Sequence, residues 1–114
     1  MQLISGGDGI IGGDTLTWFK FGKMVFISCA VWDFTIVNSN NDIILLSLPF
    51  ICRTIRSIGT TGYNSTKVNF IPVASENNKY FSFAVKNPDG STVDVKGNQF
   101  PMCTIQFNLI YRTE

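Results

Sequence analysis

The chain contains no histidine and little charge of either sign. Its 114 residues include eight acidic and nine basic side chains, which leave a formal net charge of +1. Histidine is the commonest general base, the usual partner of a nucleophilic serine or cysteine, and the commonest metal ligand. Its absence excludes most hydrolase mechanisms, so we expect neither enzyme activity nor catalytic residues, and no cofactor or metal site.

Runs of basic residues and long apolar segments are also missing. The basic side chains are spread singly from Lys20 to Arg112, which does not provide the positive patch that nucleic-acid binding requires. The first residues combine neither a basic start nor an apolar stretch of the length that a signal peptide or a membrane span needs. We therefore expect no nucleic-acid partner and no insertion into a membrane.

Cysteine is scarce, and its number is odd. Cys29, Cys52 and Cys103 show no CxxC spacing, and the first and last of them fall inside apolar alternating segments. Cysteine in such places commonly behaves as a small core residue. We predict buried free thiols, and a bridge between Cys29 and Cys103 stays open.

Apolar residues, by contrast, are abundant for so short a chain. They make up 45% of the sequence and include ten phenylalanines. Because small domains leave a large share of their surface in water, we expect another subunit to cover part of this apolar surface. Residues 1–14, with the glycine-rich stretch SGGDGIIGGD, resemble the end of a stalk or linker, and the chain is expected to be a piece of a longer protein. Residues 15–114 are predicted to form one domain.

From residue 15 onward the apolar pattern has a period of two, which indicates strands. A hairpin over 15–35 reverses at Gly22 and Lys23, and both faces of its second arm are partly apolar, as in a sandwich core or an interface strand. Further strands are predicted at 43–48, 51–58, 67–73, 80–87, 91–96 and 103–111, with 59–66 as a loop. About eight strands without a helical segment predict an all-β, antiparallel sandwich or barrel that is jelly-roll-like.

Trp32 and Asp33 form the first candidate binding pair. An indole can stack on the face of a sugar ring while a neighbouring carboxylate accepts hydrogen bonds from its hydroxyl groups. The alternative is that Asp33 is a solvated residue on the outer side of a core strand.

Tyr63 and Asn64 form the second candidate pair, in the segment GTTGYNST. An aromatic ring and an amide among small residues suit the recognition of polar ligands, although a plain connection capped by Tyr63 explains them too. Asn77 and Lys79 lie in a polar turn and are weaker candidates for receptor binding, because turn chemistry alone accounts for them.

Three segments carry a family resemblance. Residues 18–28, WFKFGKMVFIS, resemble the W-x-K-x-G-x-x-V-x-V opening of the C-terminal tip domains of bacteriophage tail fibres and receptor-binding proteins. Leu48-Pro49-Phe50 resembles the next landmark of those domains, and residues 104–113 resemble their closing strand. The fibre heads of adenoviruses and reoviruses are similar in plan, with a glycine-punctuated shaft before a compact β head.

The resemblance implies a homotrimeric head domain at the tip of a viral fibre, located on the virion, that attaches to a host-cell surface receptor. The receptor would be a glycan or a protein, with a glycan favoured. Two alternatives stay open from the sequence: a stand-alone bacterial carbohydrate-binding module or lectin, and a trimerisation cap without a ligand.

Overall fold

Ten strands and one short 3-10 turn make up the chain in this computed structural model, which describes residues 1–114. The strands are β1 Leu3–Ser5, β2 Gly9–Phe21, β3 Met24–Val37, β4 Leu45–Ser47, β5 Arg56–Ile58, β6 Thr60–Asn64, β7 Phe70–Ser75, β8 Tyr80–Lys86, β9 Thr92–Asp94 and β10 Cys103–Arg112. The 3-10 turn is Gly97–Gln99.

The strands form two antiparallel sheets. One sheet has four strands in the order β2-β3-β10-β6, and the other has six, with the order β1-β4-β8-β7-β5. The sixth strand, β9, pairs with β8 at Ala84–Lys86. It lies on the same side of β8 as β4, which pairs with β8 at Tyr80 and Phe81. Packed face to face, the two sheets confirm the prediction of an all-β antiparallel sandwich.

The hairpin of β2 and β3 is the longest feature of the fold. Phe21 pairs with Met24 across a two-residue turn, as the sequence predicts, and Gly22 has a φ of +58°. Two-residue hairpins need a positive φ at the first central position, and glycine adopts it without a steric penalty.

The alternation along β3 changes phase at a bulge. Val25 and Val31 face the core, but so does Phe34, three residues after Val31. The extra residue is Asp33, which has a φ of +50°, and the register shifts there against both neighbouring strands. The period of two predicted over residues 15–35 would put Phe34 on the same face as Trp32, and this is wrong, because a bulge adds one residue to a strand and reverses its pattern beyond that point.

Phenylalanine rings fill the core between the sheets. Phe100, which follows the 3-10 turn, contacts Phe34 of one sheet and Phe70 and Phe83 of the other, with ring centroids 4.9 to 5.6 Å apart. Phe107 of β10 packs on Phe83 at 5.3 Å. Since burying one such side chain stabilises a fold by about 1.5 to 3 kcal/mol, this cluster is a main source of cohesion between the sheets.

Two segments are more regular than the sequence predicts. Residues 59–66, predicted as a loop, contain β6, which pairs with β10. The predicted stalk at residues 1–14 contains β1 and the first part of β2, which pair with β4 and β3, so the boundary proposed at residue 14 falls inside a strand. Both segments lie at or near sheet edges, where glycine and small polar side chains hide the period-two signal. The strand predicted at 51–58 is reduced to Arg56–Ile58.

Substituting alanine for Ile105, which is 0% exposed on β10, should lower the free energy of unfolding by about 2 to 5 kcal/mol, because a cavity forms in the core. The same change at Ile55, which is 80% exposed, is the matched control and should stay within about 0.5 kcal/mol. Urea unfolding at equal protein concentration measures both. Equal losses in the two variants would contradict this packing of the core.

Candidate functional site

The side of the four-stranded sheet that faces away from the core is called the outer face here. Register between β2, β3 and β10 arranges its side chains in rows that cross the strands. From the Gly22 turn onward, the rows are Phe21, Met24 and Arg112; Phe19, Phe26 and Ile110; Thr17, Ser28 and Asn108; Thr15, Ala30 and Gln106; and Gly13 with Trp32. The outer face is thus apolar near the turn, small and polar in its middle, and aromatic again at Trp32.

The apolar end comprises five large side chains and is called the hairpin-end surface. They are Phe19, Phe21, Met24, Phe26 and Ile110, each between 38 and 74% exposed. At roughly 200 Å² for each fully exposed side chain, they present about 500 Å² of apolar area to water. A depression of about 450 Å³ lies beside Phe19, Phe26 and Ile110. An apolar area of this size is about that of the largest patch on an ordinary monomeric protein, and such a patch is often functional.

Trp32 lies at the other end of the outer face, against the backbone of β2. A Cβ atom placed on Gly13 would come within 2.0 Å of Cε2 and 2.2 Å of Nε1 of the indole, so the ring covers this glycine. Asp33 follows in the bulge, and its backbone N–H points to the Thr104 hydroxyl at 3.4 Å. Its carboxylate is exposed and has no hydrogen-bond or ion-pair partner.

Tyr63 and Asn64 both belong to β6, but their side chains differ in exposure and in hydrogen bonding. A bulge places Gly62 and Tyr63 opposite Gln106, and Tyr63 is exposed. The Asn64 amide instead donates to the Val68 carbonyl at 2.7 Å and accepts from the Thr66 backbone at 2.8 Å and from its hydroxyl at 2.7 Å. These bonds shape the loop after β6, so Tyr63 is the member of this pair available to a ligand.

Asn77 and Lys79 lie far from the other candidates. Asn77 has a φ of +68° in the turn before β8, and its side-chain oxygen accepts from Arg53. It lines a polar cleft together with Lys23, which is next to Gly22. Trp32 is nine residues along from Lys23, or roughly 30 Å at the rise of a strand. The structure brings Trp32, Asp33, Tyr63 and Asn64 to one end of the sandwich and leaves Asn77 and Lys79 at the opposite end; whether any of them binds a receptor stays a prediction.

The three segments that carry the family resemblance meet at one residue. The Phe50 ring packs against Trp18 edge to face, with centroids 4.8 Å apart, and the Lys20 ammonium lies 4.9 Å from the centre of the same ring. The Tyr111 hydroxyl of the closing strand donates to the Phe50 carbonyl at 2.9 Å. No family model, curated protein or solved structure matches the chain.

The sequence alone does not predict the hairpin-end surface. Phe19 and Phe21 share a side of β2 because they are two residues apart, but Ile110 joins them only because β10 pairs with β3. Gly13 lies in the segment predicted to be a stalk or linker. Local patterns carry no information on which distant strand becomes a neighbour, and only the two-sided apolar pattern of the second hairpin arm pointed to a surface here.

The three cysteines are buried and free, as predicted. Cys103 pairs with Phe34, which is five residues from Cys29 along β3. Cys103 and Cys29 are therefore roughly 15 Å apart, which is too far for a disulfide bridge. Burial raises the pKa of Cys29 to about 12, with a smaller contribution from Asp14, and burial raises the pKa of Cys103 to about 11. Both thiols are therefore protonated and unreactive near neutral pH.

No group of three or more cysteine, aspartate or glutamate side chains could hold a metal ion. None of the chain is a helix long and apolar enough to cross a membrane.

The raised pKa values predict a loss of stability in alkali. Between the unfolded pKa of a thiol, 9.0, and the folded value of about 12 at Cys29, the unfolded chain releases protons that the folded chain retains. Stability should be unaffected by these groups below pH 9 and fall steadily from pH 9 towards 12, with Tyr111, whose pKa burial raises to about 12, adding to the fall above pH 10. Urea unfolding as a function of pH measures this.

A Cys29→Ala variant is the control for that experiment. Because it lacks this thiol, its free energy of unfolding should fall less steeply with pH above pH 9. A free energy of unfolding that rises between pH 9 and 11 would contradict the burial of these groups.

Proposed function

We propose that the chain is the receptor-binding head domain at the tip of a viral fibre, where it acts by binding as a homotrimer. The observation that carries the proposal is the hairpin-end surface, a contiguous apolar area of about 500 Å² on the outer face of an already complete sandwich. The core between the sheets is complete without these side chains. The favourable free energy of burying them is therefore obtained only when another surface covers them.

A second copy of the same chain fits this surface by area and by charge. A stable interface buries about 800 Å² on each partner, of which about 56 to 65% is apolar, which corresponds to about 500 Å². Among the rows of the hairpin-end surface only Arg112 carries a charge, and it lies at the edge. Burying the centre would therefore leave no unpaired charge. The fibre resemblance favours three copies around an axis close to the Gly22 turn.

The three segments that carry the resemblance are in contact in the fold. Trp18 and Lys20 of the opening, Phe50 of the Leu-Pro-Phe segment and Tyr111 of the closing strand form one packed unit. The unit holds the β2 edge of one sheet against the segment that follows β4.

Three copies would present three identical ligand sites on one particle. Linked sites convert a weak single contact into firm attachment, because the second and third contacts form within one assembly. This suits attachment to a host-cell receptor, and it requires no chemical step from a chain whose thiols are held protonated.

A stand-alone carbohydrate-binding module is the second candidate, and one observation supports it as well as it supports the fibre head. The exposed indole of Trp32 could serve a sugar in either setting. The two candidates differ in assembly, since a lectin can act as a single chain, whereas the fibre head acts as three.

Multi-angle light scattering tests the assembly. We expect a molar mass three times that of the 12.7 kDa chain. A Phe19→Glu, Phe21→Glu double variant should fall to one chain with an unchanged far-ultraviolet circular dichroism spectrum, because it places charge in the apolar contact.

Val93→Glu is the matched control, because Val93 is also an exposed apolar residue but lies on β9 of the other sheet, and it should remain trimeric. A mass of one or two chains for the unsubstituted protein at micromolar concentration would overturn the proposal.

A further inference from the structure

The two ends of the outer face are far enough apart to serve two purposes. Phe26 and Trp32 are six residues apart on β3, or roughly 20 Å. Between them the rows carry Thr, Ser, Ala, Gln and Asn side chains, which are small or polar. Covering the hairpin-end surface would therefore leave Trp32 and its neighbours in water.

The Trp32 ring is packed against β2 rather than free. Three ring atoms, Cε2, Nε1 and Cζ2, lie within 2.0 to 2.3 Å of the place where a Gly13 Cβ would be, so the indole occupies the space over this glycine. The side chain is nevertheless 45% exposed, so part of the ring is open to solvent. An aromatic ring fixed in this way can stack on a ligand with little further loss of conformational entropy.

The residue that follows Trp32 in the chain carries a hydrogen-bond acceptor. Asp33, with its φ of +50°, is inserted opposite Gly12, which has a φ of +108°. Its exposed carboxylate has no partner, so its hydrogen-bonding capacity is available to a ligand. Asp33 is also the only charged residue of β3.

A second aromatic residue lies across the sheet. Tyr63 stands opposite Gln106, and Gln106 pairs with Ala30, two residues before Trp32. The two strand spacings from β3 to β6 amount to roughly 10 Å. A ligand longer than one ring could reach both aromatic residues.

We infer that Trp32, Asp33 and Tyr63 form a binding platform for neutral oligosaccharides, and the inference rests on the proposed function as an attachment domain. A pyranose ring offers an apolar C–H face to the indole and hydroxyl groups at its rim to the Asp33 carboxylate. Sialylated and uronic saccharides are disfavoured, because their carboxylates would meet the Asp33 charge with no basic residue in these rows to offset it.

A printed array of neutral, N-acetylated, sialylated and uronic glycans tests the class of ligand. The unsubstituted protein should bind neutral or N-acetylated glycans and not the acidic ones. Titration of the best-binding tetrasaccharide into a Trp18→Phe variant, in which Trp32 is the sole tryptophan, should then change the fluorescence of Trp32 in a saturable way.

Variants measured by isothermal calorimetry locate the site. Trp32→Ala should weaken binding of that tetrasaccharide at least tenfold, and Gly13→Ala should do the same although Trp32 is still present, because the new methyl group displaces the ring. Gly9→Ala is the matched control on the same strand, where a Cβ meets nothing within 4 Å, and it should bind normally. Asp33→Asn should lose several-fold in affinity for the neutral ligand and gain binding to acidic ones.

Absence of glycan binding across the array, binding of acidic glycans only, or unchanged affinity in Trp32→Ala would each overturn the platform. So would adsorption to host cells that survives enzymatic removal of their surface glycans, which would indicate a protein receptor. The light-scattering mass of the same samples separates the two proposals: a trimer without glycan binding refutes only the platform, and a glycan-binding single chain refutes only the fibre head.

Discussion

The structure depends on one geometric constraint: a strand points successive side chains to opposite faces of its sheet, and a two-layer sandwich can bury only one of them. In β3, Val25, Ile27, Cys29 and Val31 occupy the buried face and fill the core. Met24 and Phe26 occupy the other face, where the fold provides no second layer. A chain with ten phenylalanines and 15% charged residues leaves part of its apolar area exposed, and five of its large exposed side chains lie together on this face of the four-stranded sheet.

The outer face is divided along its length, and the division follows from register. Phe19 and Ile110 lie on either side of Phe26 because β2 and β10 both pair with β3. At the far end, the unbroken register of β2 and β3 sets Trp32 over Gly13, and the bulge at Asp33 reverses the pattern only beyond that pair. The apolar end offers a large apolar area without directional hydrogen-bonding groups, which suits contact between protein surfaces. The Trp32 end offers one flat ring and one acceptor, which suits a small polar ligand.

The fold class could be predicted from the sequence because its signals are local. The alternation of β10, the reversal at Gly22 and the Pro88-Asp89-Gly90 turn between β8 and β9 are each decided within a few residues. β6 and the start of β2 were not found, because threonine and glycine at sheet edges give no clear pattern. The bulge at Asp33 was not found either, since a single inserted residue leaves the composition of a strand unchanged.

The candidate site could be predicted only in part, for a related reason. Trp32 with Asp33, and Tyr63 with Asn64, were chosen as separate pairs, and it is the position of β10 between β3 and β6 that brings them to the same end of one sheet. Asn64 was chosen for its amide, whose bonds are used within its own loop. Contacts over long sequence separations, such as Trp18 with Phe50, come from topology, which a local pattern does not contain.

Oxidation of methionine by dilute hydrogen peroxide, read by peptide mass spectrometry, tests most directly whether the outer face is covered. Met24 lies in the hairpin-end surface and is 38% exposed in the single chain, and Met102, at 68%, lies outside it and serves as the internal reference. If copies of the chain cover this surface, Met24 should oxidise at least about tenfold more slowly than Met102. Rates within about twofold of each other, as their exposure in a lone chain implies, would contradict the account.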